Sequence, residues 1–151
     1  MYEILAAIDG SLASDRALEA TVELARATGG HVHVVHVREL ATVGAYGAVY
    51  RSEPEEAERL VQGYVERLRA AGVEADGAPR DATHPEVARD IVEAAREHDA
   101  SVIVVGSRGR GDIGSIALGS VSHDLLRRAD RPVLVVTARC ARGPGDGQRS
   151  A

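Results

Sequence analysis

The chain has 151 residues and a formal charge of −5, which is enough length for one domain with a full core and the wrong sign for a general nucleic-acid binder. All 18 basic residues are arginine, so Schiff-base chemistry and the lysine of a Walker-type phosphate loop are both excluded. Phe and Trp are absent, which leaves the core to Val, Leu, Ile and Ala. One cysteine, Cys140, allows no intrachain disulfide and suits a reducing compartment. No apolar run approaches the roughly 20 residues of a membrane span, and no basic leader precedes the first apolar residues. The expectation is a cytoplasmic chain with no membrane and no nucleic-acid partner.

In chain order, Glu3–Ile8 reads as a strand and Asp9-Gly10-Ser11 as its turn into a helix. That helix is expected over Ser14–Thr28, capped by Ser14 or Ser11 and stopped by Gly29. Leu18, Thr21, Val22 and Ala25 form its apolar face. His31–Val37 is a second, β-branched strand. Glu39–Arg51 has no clean period and reads as a long loop, which in a compact domain is a functional flap or a partly disordered segment. A second helix follows, with Ser52 and Glu55 as a capping box, Pro54 in the first turn and Gly72 at the end. Its apolar positions Ala57, Leu60, Val61, Tyr64, Val65 and Leu68 keep helical spacing. Val73–Ala78 is a weak strand suited to a sheet edge.

A third helix is expected from Pro85 to His98, with Thr83 and Glu86 as a capping box and Val87, Ala88, Ile91, Val92 and Ala95 buried. Val102–Val105 and Val133–Val136 lack polar alternation, as strands covered on both faces do. Between them a short helix, Ser120–Ala129, buries Val121, Leu125 and Leu126. Residues 1–138 then form one domain, and Arg139–Ala151 reads as a disordered tail. The alternation of strands and helices predicts an α/β fold: one open five-stranded parallel sheet with helices on both faces. Ligands of such sheets bind beyond the carboxyl ends of the strands, where the strand order reverses. Asp9, Val37 and Gly106 fall at such ends.

The stretch between the last two strands carries the chemistry. Gly106, Gly109 and Gly119 leave room for backbone beside a ligand, and Ser120 would cap a helix whose free N–H groups favour an anion. Arg108 and Arg110 could add charge, or be solvated. The plain alternative is a crossover loop whose glycines serve tight turns.

The spacing Gly106-x2-Gly109-x9-Gly119-Ser120 resembles the nucleotide signature of ATP-binding universal stress proteins. Further resemblance lies in AIDGS near the start, VVHV in the second strand, VVGSRGRG, LGSVS and the closing RPVLVV. It covers essentially Met1–Thr137. The resemblance implies a Rossmann-like fold of the adenine-nucleotide alpha hydrolase type and a cleft for ATP, with Mg2+ held mainly by the phosphates and not by direct protein ligands. By position it implies that Asp9 stands near the adenosine and that Ala7 and Val37 line the adenine. Gly106 and Gly109 would approach ribose and phosphate, Gly119 and Ser120 would cradle phosphate, and Val121 would donate from the helix start. Arg108 occupies a position that varies in the family. It also implies pairing of two copies through the last strand, Val133, Leu134, Val135 and Val136, which would otherwise be an exposed edge.

Several motifs are decoys. Gly109, Gly111 and Gly114 spell the dinucleotide fingerprint, but several loop residues separate them from the strand and no acidic residue follows at a strand end. No G-x-S-x-G elbow is present, so Ser120 is not read as a nucleophile. His31 and His33 share a strand face while His36 points to the other, so the three do not converge on a metal. Glu53, Glu55, Glu56 and Glu58 read as a solvated first turn. No residue is placed as a general base beside the phosphates. The function expected is a nucleotide-dependent regulator of stress response or dormancy; the alternatives are an interaction module with slow or no ATP hydrolysis, and a weak ATPase.

Overall fold

Five strands run parallel in the order β5-β2-β1-β6-β7, in a computed structural model that describes residues 1–107 and 118–137. The strands are β1 (Glu3–Ala7), β2 (His31–Arg38), β5 (Ala75–Asp81), β6 (Val102–Gly106) and β7 (Val133–Val136). Two short strands, β3 (Leu40–Thr42) and β4 (Ala48–Tyr50), pair with each other. The helices are α1 (Leu12–Thr28), α2 (Pro54–Ala70), α3 (Val87–Glu97) and α4 (Ser120–Arg128). The sheet is therefore five-stranded and parallel with helices on both faces, as its alternation predicted. The tail 139–151 lies outside the described residues.

The apolar strands divide their side chains between two cores. Ile4, Ala6, Val32, Val34 and Val104 pack with α1 and α2 on one face. Leu5, Val35, Val37, Ile103 and Val105 pack with α3 and Leu125 of α4 on the other. Continuous apolar runs are the consequence, because neither face of a central strand sees water. Behind α1, Asp15 accepts from Tyr64 Oη at 2.9 Å and from Arg67 at 2.8 Å. Burial alone would raise the Asp15 carboxyl, but these two hydrogen bonds hold it below the usual carboxylate range. The Tyr64 phenol is pushed upward by its burial and by Asp15.

Helix α1 is capped by Ser11, whose side chain accepts from Ser14 N, and it ends at Gly29 with φ +63, as the glycine stop predicted. Ser14 turns back to Asp9 and is not the cap. The expected long loop Glu39–Arg51 is instead mostly a small antiparallel hairpin, Leu40 opposite Tyr50 and Thr42 opposite Ala48. Its three-residue strands are mostly exposed, so no buried stripe marks them in the sequence. The weak third strand starts and ends later than expected, at Ala75–Asp81. It lies at the sheet edge as predicted, where Pro79 costs no interior ladder bond.

Neither expected capping box forms. Helix α2 starts after Glu53 with no side-chain cap; Ser52 lies one residue before that position, with its carbonyl accepting from Arg38 at 2.9 and 3.1 Å. Helix α3 starts after Glu86, also without a side-chain cap. Asp90 closes that turn instead, accepting from Thr83 Oγ1 at 2.6 Å, Thr83 N at 3.0 Å and His84 N at 3.3 Å. Asp90 is fully buried. Its burial disfavours the charge, yet the Thr83 side chain and the two backbone N–H groups hold its pKa below the ordinary value. At α4 the cap position is Gly119, not Ser120, and Leu126 is 50% exposed while Leu125 is fully buried. A two-turn helix presents one narrow stripe, and Leu126 lies about 100° round the axis from Leu125. Among the described residues no helix is long and apolar enough to cross a membrane.

Candidate functional site

The chain leaves β1 toward β2 and β5 on one side, then returns to place β6 and β7 on the other. The reversal opens a crevice between the carboxyl ends of β1 and β6. A cleft of about 830 Å3 lies there. Its inner wall is Ala7, Ile8, Asp9, Val35, Val37 and Val105, and its base is Gly106, Ser107 and Gly119 through Ser122. The cleft thus brings together Ala7, Asp9, Val37, Gly106, Gly119, Ser120 and Val121 from the sequence-predicted set. Arg108 and Gly109 lie outside the described residues.

At one end, Asp9 is held by the start of α1. Asp9 Oδ1 accepts from Ser14 Oγ at 2.7 Å and from Ser11 N at 2.9 Å. Asp9 N donates to Ser14 Oγ at 3.0 Å. The turn needs Gly10 at φ +79, a conformation that only glycine adopts without penalty. A carboxylate is thereby fixed at the end of the central strand.

At the other end, the Ser107 carbonyl accepts from Gly119 N at 2.6 Å and from Ser122 Oγ at 2.9 Å. This clamp ties the first turn of α4 to the end of β6, so both ends of the glycine loop are anchored at one carbonyl. First-turn amides, here at Ser120 and Val121, have no partner within their own helix. The helix has no acidic residue in its first turn and carries Arg127 and Arg128 in its last. Its amino end is therefore an anion-accepting end.

Gly106 sits at the cleft, but packing explains it better than ligand approach. A Cβ there would lie 2.7 to 2.9 Å from the backbone and Cβ of Ala13. The glycine lets α1 press against β6. Gly119, at φ −64, needs no left-handed conformation.

The outer wall comes from the segment the sequence left as a loop. Arg38 is 8% exposed; it pairs with Asp81, donates to the Ser52 carbonyl, and lies 4.4 Å from the Tyr50 ring centroid. It binds the hairpin base to the ends of β2 and β5. Glu39, Arg51, Glu56 and Arg59 line the cleft beyond it, with Arg51 Nε 3.3 Å from Glu39. The sequence reading missed Ser14, Arg38, Arg51, Arg59, Ser107 and Ser122. For Ser14 a signal existed, since a serine five residues after a strand-end aspartate can reach back to it. The arginines gave none, because any of the 18 could equally be solvated.

Comparison with known proteins agrees with this fold. The model of the universal stress protein family matches residues 1–137. Universal stress protein YxiE of Bacillus subtilis is 33% identical over 147 residues, covering 89% of this chain and 97% of its own. A universal stress protein structure from Archaeoglobus fulgidus superposes with a TM-score of 0.71 at 32% identity, covering 90% of this chain and 98% of its own. A second structure from that organism, solved in complex with dAMP, gives a TM-score of 0.67 at 30% identity and covers 90% of this chain and 97% of its own. The chain belongs to the universal stress protein family.

Proposed function

We propose that the cleft binds an adenine nucleotide, with ATP and its Mg2+ as the ligand, and that the protein is a nucleotide-dependent regulator in stress response or dormancy. The observation that carries this reading is the anchored glycine loop. One carbonyl pins both of its ends, and the bare amino end of α4 opens into the cleft at the switch point. The relative solved with dAMP supports an adenosine monophosphate unit as the core of the ligand. Ala7 and Val37 offer apolar walls for the base, and Asp9 stands at the adenosine end. Gly119, Ser120 and Val121 face the phosphates, with Gly109 and Arg108 contributing from the loop. Mg2+ is held mainly by phosphate oxygens.

The test is the thermal midpoint of nucleotide-free protein titrated with AMP, ATP, and ATP with Mg2+. A ligand at 100 times its dissociation constant adds about 2.7 kcal/mol; an unmoved midpoint at millimolar nucleotide overturns the reading. Gly119→Val should abolish the shift with the fold retained, since φ −64 suits any residue. Phosphate release from ATP, lost in Asp9→Ala, would convert the reading to a weak ATPase.

One observation favours a second role. Strand β7 ends the sheet, and Leu134 and Leu126 are 39% and 50% exposed beside it. Val133 to Val136 would then pair two copies as a homodimer, an interaction module with little or no hydrolysis. Light scattering after size exclusion, with and without ATP, tests it; a monomer in both conditions removes it.

A further inference from the structure

At the opposite end of the sheet from the cleft, Glu3, His31, His33, Asp76 and His98 come together. Parallel pairing sets Glu3 beside His31 and His33 beside Asp76. Alternation along β2 puts His31 and His33 on one face. His36 lies on the other, where its Nδ1 meets the Ile8 carbonyl oxygen at 2.9 Å. The partner that completes the histidine pair is a carboxylate from the neighbouring strand.

Glu3 Oε2 is buried and accepts no hydrogen bond. It nevertheless lies 3.3 Å from His31 Nδ1 and 3.4 Å from His33 Nε2. The three residues bring donor atoms within 4.8 Å of one another. Around a tetrahedral ion with bonds of about 2.0 to 2.1 Å, neighbouring ligand atoms are about 3.3 to 3.4 Å apart. The two nitrogen–oxygen separations match that edge. Asp76 takes the opposite nitrogens of both rings, His33 Nδ1 at 2.5 Å and His31 Nε2 at 3.5 Å. A carboxylate behind a ligating histidine fixes its tautomer and raises its basicity. The His98 ring packs on His33 with centroids 3.9 Å apart, which holds that ring in place. His98 also closes the carboxyl end of α3, the end of a helix that favours a cation. The side chains of Glu3, His31 and His33 are 22%, 20% and 16% exposed, so solvent ions can reach them.

We propose that Glu3 Oε2, His31 Nδ1 and His33 Nε2 bind a divalent transition-metal ion of the Zn2+ class. Asp76 orients both imidazoles, and a fourth coordination position is open to water. Two imidazoles and one carboxylate suit Zn2+, Co2+ or Ni2+ and not Mg2+ or Ca2+, which take all-oxygen sets. Among the described residues one other His/carboxylate group, His84 with Asp90 and Glu93, differs in kind: Asp90 is already engaged by Thr83 and His84.

The experiment titrates the untagged full chain with Co2+, followed by its visible d–d absorption, and then with Zn2+ in calorimetry. One equivalent of Co2+ with the intense spectrum of a four-coordinate ion, displaced by Zn2+, is expected. Glu3→Gln and His33→Gln should each weaken Zn2+ by more than a hundredfold. Asp76→Asn should weaken it ten- to a hundredfold. His84→Gln should leave the isotherm unchanged. Circular dichroism of each variant verifies that it is folded, and a second variant, His31→Gln, stands in for any that is not. No saturable 1:1 binding by the wild type, or binding unchanged in Glu3→Gln and His33→Gln, overturns the proposal. Loss of binding in His84→Gln alone overturns it equally.

Discussion

The two ends of the same parallel sheet hold opposite chemistries. At the carboxyl end, β1 and β6 run out beside the starts of α1 and α4, where the α4 side offers backbone amides, hydroxyls and glycines and the α1 side holds the Asp9 carboxylate. At the amino end, β1 and β2 begin beside the close of α3, and the groups are imidazoles and carboxylates. A parallel βαβ chain sets every crossover helix antiparallel to its strands, so helix starts collect at one end and helix finishes at the other. The aligned peptide dipoles then favour anions at the first end and cations at the second. One topology thus sorts ligands by charge before any side chain is chosen.

Disabling each end separately tests whether the two chemistries are independent. Gly119→Val should remove ATP binding, more than a hundredfold by calorimetry, with Zn2+ affinity unchanged. Glu3→Gln should do the reverse. Any variant that loses both would show that the ends are coupled or that the fold has failed. Next in size is Gly106→Val, which sets new side-chain atoms where Ala13 already lies 2.7 Å from the first added carbon. Overpacking of this kind should cost about 3 kcal/mol in urea unfolding, and it should also reshape the cleft.

Asp90→Asn tests the turn beneath α3. Hydrogen bonds to the charged carboxylate should make the loss about 2 kcal/mol at neutral pH. Asp90 is lowered in the folded state, so its contribution is full above the unfolded carboxyl pKa of about 3.9. It disappears as pH falls through the lower folded value. The difference between wild type and Asp90→Asn should therefore shrink below about pH 4, measured by unfolding at a series of pH values. The smallest effect is Ser11→Ala, which removes the α1 cap and should cost about 1 kcal/mol. Because Ser11 N also holds Asp9 Oδ1, a backbone contact that alanine preserves, nucleotide affinity should change little.

Much of the molecule is legible without coordinates. The unbroken apolar run at Val102–Val105, helical spacing in 57–68, and Gly29 as a stop all follow from local rules of burial and backbone freedom, whereas the equal run Val133–Val136 is an edge strand with Leu134 39% exposed and is not covered on both faces. Strand ends then locate the cleft, because topology alone puts Asp9, Val37 and Gly106 at one edge of the sheet. The two capping boxes do not form because α2 and α3 start after Glu53 and Glu86, one and three residues past Ser52 and Thr83; Ser52 meets Arg38 through its carbonyl, and Thr83 serves Asp90. Both partners lie outside the capping box, and a four-residue pattern cannot weigh them. The hairpin at 40–50 was illegible because its strands bury nothing that would leave a period.

What the sequence determined by itself was the order of elements, the parallel sheet and the end of it where an anion belongs, since these depend on spacing along the chain. Only the tertiary structure decided that Gly106 serves helix packing, that one carbonyl of Ser107 pins both ends of the glycine loop, and that Glu3 faces the His31–His33 pair. Each of these joins residues far apart in sequence across neighbouring elements. Register and helix approach, which set such distances, arise from packing two whole faces at once and leave no mark in any single stretch of the chain.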